Sequence, residues 1–402
     1  MSPPSASPPP TRPPPARPPG ARPGASRIAR LGLALAATLV SLGLAEGIFR
    51  LAGVTPPRLH PRKVFLIEPE RLAVDEWGID RLRVPSADRR LGALRGEYIP
   101  GIRFEFCYDV SRGDRRPYFD ERGCVVMEVN SDNLRGPDRT IRKPPGTWRV
   151  AAVGDSFTFG EGVPWRHIWP TRLAENLSSR PDRPPFGDGV ERIEVVNLGV
   201  SGFNAKEVLV YLRHKALRYD PDVVVYGFFL NDVFEGGQMD ADTLAAYRTV
   251  YSPPTGLAAA SRLVDWVTFA RARRRMDRLT EEMYLDSFAG GARSQEWLDT
   301  QDNLTAMRDV CAERGLPFVV LIFPVLSSLD DGYPFGDVHA ELHAFLDGAG
   351  IAWVDMLEPF RERGAEALRV HATDLHPNEI AHDLAASAVE RHLRTLLEAT
   401  PR

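Results

Sequence analysis

WRVAAVGDSFTFG, residues 148–160, runs through a strand-length apolar stretch and ends in a polar turn bracketed by Gly154 and Gly160. Val150 to Val153 are continuously apolar rather than alternating, as expected of a strand covered on both faces. Four later runs repeat the pattern: IEVVNLG (193–199), DVVVYGFF (222–229), PFVVLIF (317–323) and IAWVDM (351–356). Between and after them, apolar residues recur at helical spacing over 204–219, 303–315, 339–350 and 377–398. Pro377 is read at the first helical position of the last of these, where its missing N–H costs nothing. Strands that alternate with helices predict an α/β fold, a parallel sheet with helices on both faces.

In such sheets sites form beyond the carboxyl ends of the strands, so the residues there are the ones to read for chemistry. Asp155 and Ser156 follow the first strand. NLGVSGFN, with Gly199, Ser201, Gly202 and Asn204, closes the second; Asn231 and Asp232 follow the third; Asp374 and His376 precede the last helix. Four polar clusters therefore share one edge of one sheet. A serine hydroxyl needs an adjacent base to attack a carbonyl. His376 is the candidate base, since imidazole titrates near neutral pH. Asp374 is the candidate acid that holds the imidazole tautomer. The Ser156 N–H, a glycine N–H at the end of the second strand and the Asn231 amide are candidate donors to a tetrahedral oxyanion. Asp155 reads as a structural hydrogen-bonding group and Asp232 as a cap on the segment after it.

Taken in order, GDSFTFG, NLGVSGFN, GFFLND and DLHPNEIAH resemble the blocks of the SGNH hydrolases, the GDSL-type esterases and lipases, over about residues 148–398. The resemblance implies a three-layer α/β/α fold with a flavodoxin-like central sheet, a Ser-Asp-His triad and no cofactor. By position, Ser156 resembles the nucleophile and first oxyanion donor, Gly202 the oxyanion glycine, Asn231 the oxyanion asparagine and His376 the base. The family spacing is Asp-x-x-His. Here Thr373 stands three residues before His376 and Asp374 two before, so the orienting acid departs from the pattern. VNSDNLRGPD and the N-terminal segment resemble the membrane-tethered bacterial members.

The rest of the chain divides by composition. Residues 1–30 carry five arginines, no acid and many prolines, a composition that builds no core and predicts a disordered cytoplasmic tail. Residues 31–50 are an apolar segment, read as a transmembrane anchor in preference to a signal peptide cleaved after Ala45. Residues 55–145 read as an irregular, β-rich lead-in. The hydrolase domain is expected over 146–400, with a helical insertion at about 233–300 whose stretch 261–279 is amphipathic and basic. The catalytic part is expected on the exported side. There Cys107 and Cys124 are candidates for a disulfide across a hairpin, with two free thiols as the alternative; Cys311 reads as core. His339 and His343 have i, i+4 spacing, but HAELH lacks the Glu of His-Glu-x-x-His and a third ligand, so no metal is expected. A net charge of −4 over 402 residues gives no ground for a nucleic-acid partner. The expected activity is hydrolysis of a small acyl ester, with acetyl the first candidate, on a cell-envelope polysaccharide. The rivals are an O-acetyltransferase using the same residues and a non-catalytic envelope binding protein.

Overall fold

The computed structural model describes residues 27–399 apart from 59–61, 68–71, 75–81, 93, 114, 180–188, 235–240, 289–293 and 330–331. Of the expected tail, residues 1–26 lie outside the described residues, while residues 27–30 are not disordered but form the start of the first helix. Five strands form the central sheet: β1 (Thr147–Gly154), β2 (Arg192–Gly199), β3 (Val223–Phe229), β4 (Phe318–Phe323) and β5 (Ala352–Asp355). Their order is β5-β4-β3-β1-β2, with every neighbouring pair parallel. This is the flavodoxin-like order, with its switch point between β1 and β3. Every residue of β1, β3 and β4 is buried, which explains why their sequences run apolar without alternation. The exception within β1 is Arg149, fully buried opposite Glu194 in the β1–β2 register. Its Nε and Nη2 donate to Glu194 at 3.0 and 2.7 Å, so the charge enters the core already paired.

Helices among the described residues include α1 (Arg27–Leu51), α2 (Ser156–Phe159), α3 (Trp169–Ser178), α4 (Ala205–His214), α5 (Arg262–Phe288), α6 (Ser294–Ala312), α7 (Gly336–Gly348) and α8 (Glu379–Ala399); four more, Ala241–Tyr251, Gly256–Ala260, Leu357–Arg361 and Ala365–Leu368, lie between them. Helix α4 opens on a capping box. Asn204 accepts from the Glu207 N–H and Glu207 returns a bond to the Asn204 N–H. Helix α8 starts two residues later than expected. Pro377 closes a short strand, and the Asn378 side chain caps the helix by accepting from the Ile380 and Ala381 amides at 2.9 and 3.2 Å. Asn can accept those orphan N–H groups while Pro can only tolerate their absence, so the cap sets the start. Cys311 is buried on α6. No strand occurs among the described residues of 233–300.

The lead-in forms a four-stranded antiparallel sheet in the order Leu72–Val74, Lys63–Leu66, Arg103–Cys107, Cys124–Glu128. Cys107 and Cys124 face each other in its register and are joined by a disulfide. By contact density the chain falls into two compact units: Met1–Pro56 with Pro254–Thr268, and Pro57–Pro253 with Phe269–Arg402.

Candidate active site

Three glycines on adjacent strands, two of them at the strand ends, make room for the turn that carries Ser156. Gly154 is in register with Gly199 on one side and Gly227 on the other. A Cβ at Gly199 would come within 2.7 Å of the Thr158 carbonyl carbon, and one at Gly154 within 2.6 Å of the Gly227 oxygen. Side chains there would push α2 off the sheet, so α2 sits directly on the strand ends. Gly154 also adopts φ +152, a conformation side chains disfavour. Asp155 then caps α2, its Oδ1 accepting from the Phe157 N–H at 2.8 Å. Its second oxygen lies 3.4 Å from Ser156 Oγ. Burial pushes the Asp155 carboxyl up to about 7, against the pull of that backbone N–H and of the His376 charge.

His376 reaches this turn from a hairpin, Arg369–His371 with Asp374–Pro377. In an extended strand, residues two apart point to the same face. Asp374 and His376 therefore lie side by side, while Leu375 between them is 39% exposed. The Asp374 Oδ1 accepts from His376 Nδ1 at 2.5 Å, and His376 Nε2 lies 2.9 Å from Ser156 Oγ. The strand conformation is what permits the Asp-x-His spacing. Thr373, at the position the family spacing would assign, hydrogen-bonds His371 Nδ1 instead.

Three further groups have no place in the sequence reading. Arg62 Nη1 donates to Asp374 Oδ2 at 2.8 Å and to Glu161 Oε2 at 2.6 Å. Tyr108 donates its hydroxyl to the same Asp374 oxygen at 2.8 Å. Glu161 Oε2 also stands 3.7 Å from His376 Nε2. Arg62 and Tyr108 flank the lead-in strands Lys63–Leu66 and Arg103–Cys107, and the Arg62 guanidinium lies 4.0 Å from the Phe106 ring centroid. The lead-in sheet thus delivers two donors to the carboxylate behind the histidine. Glu161 sits inside the GDSFTFGEGV stretch, where its closeness to Ser156 is a usable signal. Arg62 lies in an irregular arginine-rich segment, and no local pattern distinguishes it.

The charges set one another. Burial alone would raise Asp374, but the charges of His376 and Arg62 and the bonds from His376 and Tyr108 outweigh it, and its carboxyl lies well below the usual range. Glu161 is likewise lowered, by Arg62 and His376 against burial. For His376, burial pulls downward, but the Asp374 and Glu161 charges win and its pKa rises above 6.5. Arg62→Met is expected to leave two buried carboxylates without their cation, at a cost of about 3–5 kcal/mol. A urea midpoint unchanged from wild type at neutral pH would refute that.

Of the remaining expected donors, Gly202 takes φ +72 in an exposed turn after β2. Asn231 stands just beyond β3, with its Oδ1 buried and without a hydrogen-bond partner among the described residues. Among the described residues Asp232 caps the turn it belongs to, Leu230–Val233, and no later segment. Its Oδ2 turns back to accept from the Tyr226 hydroxyl at 2.8 Å and the Phe229 N–H at 3.2 Å, closing the end of β3. The ring of Phe157 stacks on Phe229 at 4.0 Å and stands 5.4 Å from that of His376, forming an aromatic wall beside Ser156. His339 and His343, on α7, do find a third group. Asp355 Oδ2, at the end of β5, lies 2.6 Å from His339 Nδ1 and 2.6 Å from His343 Nε2. The three could hold a divalent cation. One carboxylate oxygen also satisfies both N–H donors without an ion, and the bonds tie α7 to β5.

A family model described as the GDSL-like lipase/acylhydrolase family matches residues 152–384. No curated protein matches the chain. Among solved structures it is similar to TesA, at 18% identity over 62% of this chain and 99% of that one, with a TM-score of 0.38. It is similar to the psychrotrophic esterase EstA from Pseudoalteromonas sp., at 14% identity over 62% and 98%, TM-score 0.36. It is also similar to a two-domain esterase (CEX) active on acetylated mannans, at 14% identity and TM-score 0.37. That match covers 64% of this chain, which spans about half (51%) of the esterase's length.

Proposed function

The chain belongs to the GDSL-like lipase/acylhydrolase family and is a serine ester hydrolase, and from that premise we propose that Ser156, His376 and Asp374 remove a small acyl group, with acetyl the first candidate, from a cell-envelope polysaccharide. The observation that carries the site assignment is the continuous line from Ser156 Oγ to His376 Nε2, at 2.9 Å, and from His376 Nδ1 to Asp374 Oδ1, at 2.5 Å. Ser156 gives its proton to Nε2 as Oγ bonds to the ester carbon. The oxyanion that forms takes hydrogen bonds from the Ser156 and Gly202 amides and from Asn231 Nδ2. Collapse breaks the bond to the alcohol oxygen, which takes the proton from Nε2, and leaves acyl-Ser156. Water then repeats both steps and frees the acid. Asp374 keeps Nδ1 protonated and balances the imidazolium.

Two observations support a short acyl group on an exported substrate: the Phe157–Phe229 wall close beside Ser156, and the apolar helix near the N-terminus. Rates on p-nitrophenyl acetate, octanoate and palmitate test the chain length. Release of acetate from acetylated oligosaccharides tests the polysaccharide. The reading predicts acetate fastest on the first panel and free acetic acid on the second. Preference for palmitate, or no release from any acetylated sugar, would overturn the substrate assignment. Acetyl appearing on an added sugar hydroxyl instead of in water would make the protein a transferase using the same residues.

The raised pKa of His376 fixes the sign of the pH dependence. The base works only when neutral, so kcat/KM is full at higher pH and falls as pH drops through a value above 6.5. In Glu161→Gln one of the charges that raises His376 is gone, and the acid limb is expected at lower pH than in wild type. A limb that stays in place would remove Glu161 from the account of that shift.

A further inference from the structure

Within the unit formed by Met1–Pro56 and Pro254–Thr268, α1 is apolar enough to cross a bilayer: within Ile28–Leu51 an 18-residue stretch has a mean hydropathy of 1.9, and none of that stretch is buried. The 24 residues of Ile28–Leu51 make about 36 Å of helix, against a hydrocarbon layer of about 30 Å. One acid, Glu46, interrupts the apolar run near its end, where an unpaired charge would be costly. It is not unpaired. Its carboxylate accepts from the Ser261 hydroxyl at 2.8 Å, the Arg262 N–H at 3.1 Å and the Leu263 N–H at 3.0 Å. Those amides belong to the first turn of α5, where helix geometry leaves N–H groups without partners. Arg50, one turn further along α1, bonds Glu46 at 2.5 Å and reaches the Ala260 carbonyl at 2.6 Å. That carbonyl ends the short helix Gly256–Ala260. Two side chains of the apolar helix thus satisfy both the carbonyl end of one helix and the amide end of the next.

The segment held this way carries its own bare apolar surface. Leu257 is 80% exposed, Trp266 41%, and Val264 and Val267 39% each. The surface adjoins the last turns of α1, whose Ile48 and Leu51 are 62% and 92% exposed. Apolar side chains with a tryptophan, continuous with a spanning helix and flanked by Arg50 and Arg262, match the composition of a membrane–water interface. We propose that α1 is retained as an anchor and that residues 256–267 form a foot seated in the lipid headgroup layer, stapled to the exit of the span by Glu46 and Arg50. Removal of the chain up to Ala45 would leave Glu46 on a chain terminus, without the helical turns that hold it in place.

The test uses the full chain in phosphatidylcholine–phosphatidylglycerol vesicles, with an environment-sensitive fluorophore on Leu257→Cys. Nitroxide lipids labelled near the headgroup are expected to quench the probe at 257 more than lipids labelled deep in the chain. Adding Glu46→Gln is expected to weaken quenching at 257 while the protein stays with the vesicles. No quenching at 257, or deeper lipids quenching it as much as shallow ones, would overturn the foot. A mature protein from membranes that begins at Glu46 by mass would overturn the retained anchor. Ester hydrolysis by the labelled variants is a separate readout, so failure here leaves the proposed chemistry standing.

Discussion

Ser156→Ala is expected to abolish ester hydrolysis by the chain, with kcat on p-nitrophenyl acetate falling by about four to six orders of magnitude. The expectation rests on geometry and not on motif. Ser156 is 6% exposed, yet its Oγ meets His376 Nε2 at 2.9 Å at the ends of the central strands. Alanine keeps the backbone amide, so the oxyanion donor and the α2 turn survive while the attacking oxygen is lost. The loss should therefore appear in kcat with little change in the thermal midpoint. A variant with wild-type turnover would mean that another nucleophile carries the reaction.

The second large effect concerns Asp374→Asn, for which a fall in kcat of about four orders of magnitude is expected. Asparagine preserves the shape but no longer anchors Nδ1–H, and the imidazole is free to take the wrong tautomer. The substitution also removes the largest charge that raises His376, so whatever activity remains should have its acid limb at lower pH than wild type. Arg62 and Tyr108 would then donate to a neutral amide oxygen, and Arg62 would keep Glu161 as its charged partner. A near-normal rate would transfer the orienting role elsewhere. Glu161 is not placed to take it, because it faces Nε2 at 3.7 Å rather than Nδ1.

The sheet is legible in the sequence because burial on both faces writes itself into composition. Each of the five runs ends within one residue of its strand, and the strand-end clusters bracket the site. The features that stay hidden depend on three-dimensional approach. Asp-x-His looks shortened against the family spacing because spacing says nothing of backbone conformation; an extended strand places i and i+2 on one face, and the hairpin at 374–377 is extended. The start of α8 is ambiguous in sequence because Pro377 and Asn378 both mark helix starts, and only the geometry shows which one holds the orphan amides. Asp232 reads forward as a cap, but it serves the strand behind it through Tyr226, six residues earlier. Arg62 lies beyond any local reading. Its partners are 99 and 312 residues away, and only the lead-in sheet brings them within reach.

If Ser156 carries the acyl group, diethyl p-nitrophenyl phosphate will be trapped on it, and peptide mass spectrometry of the treated protein will locate the adduct. The expected result is stoichiometric release of p-nitrophenol, one diethylphosphoryl group on the peptide containing Ser156, and no adduct in Ser156→Ala or His376→Ala. An active protein that stays unlabelled, or that carries the group on another residue, would contradict it.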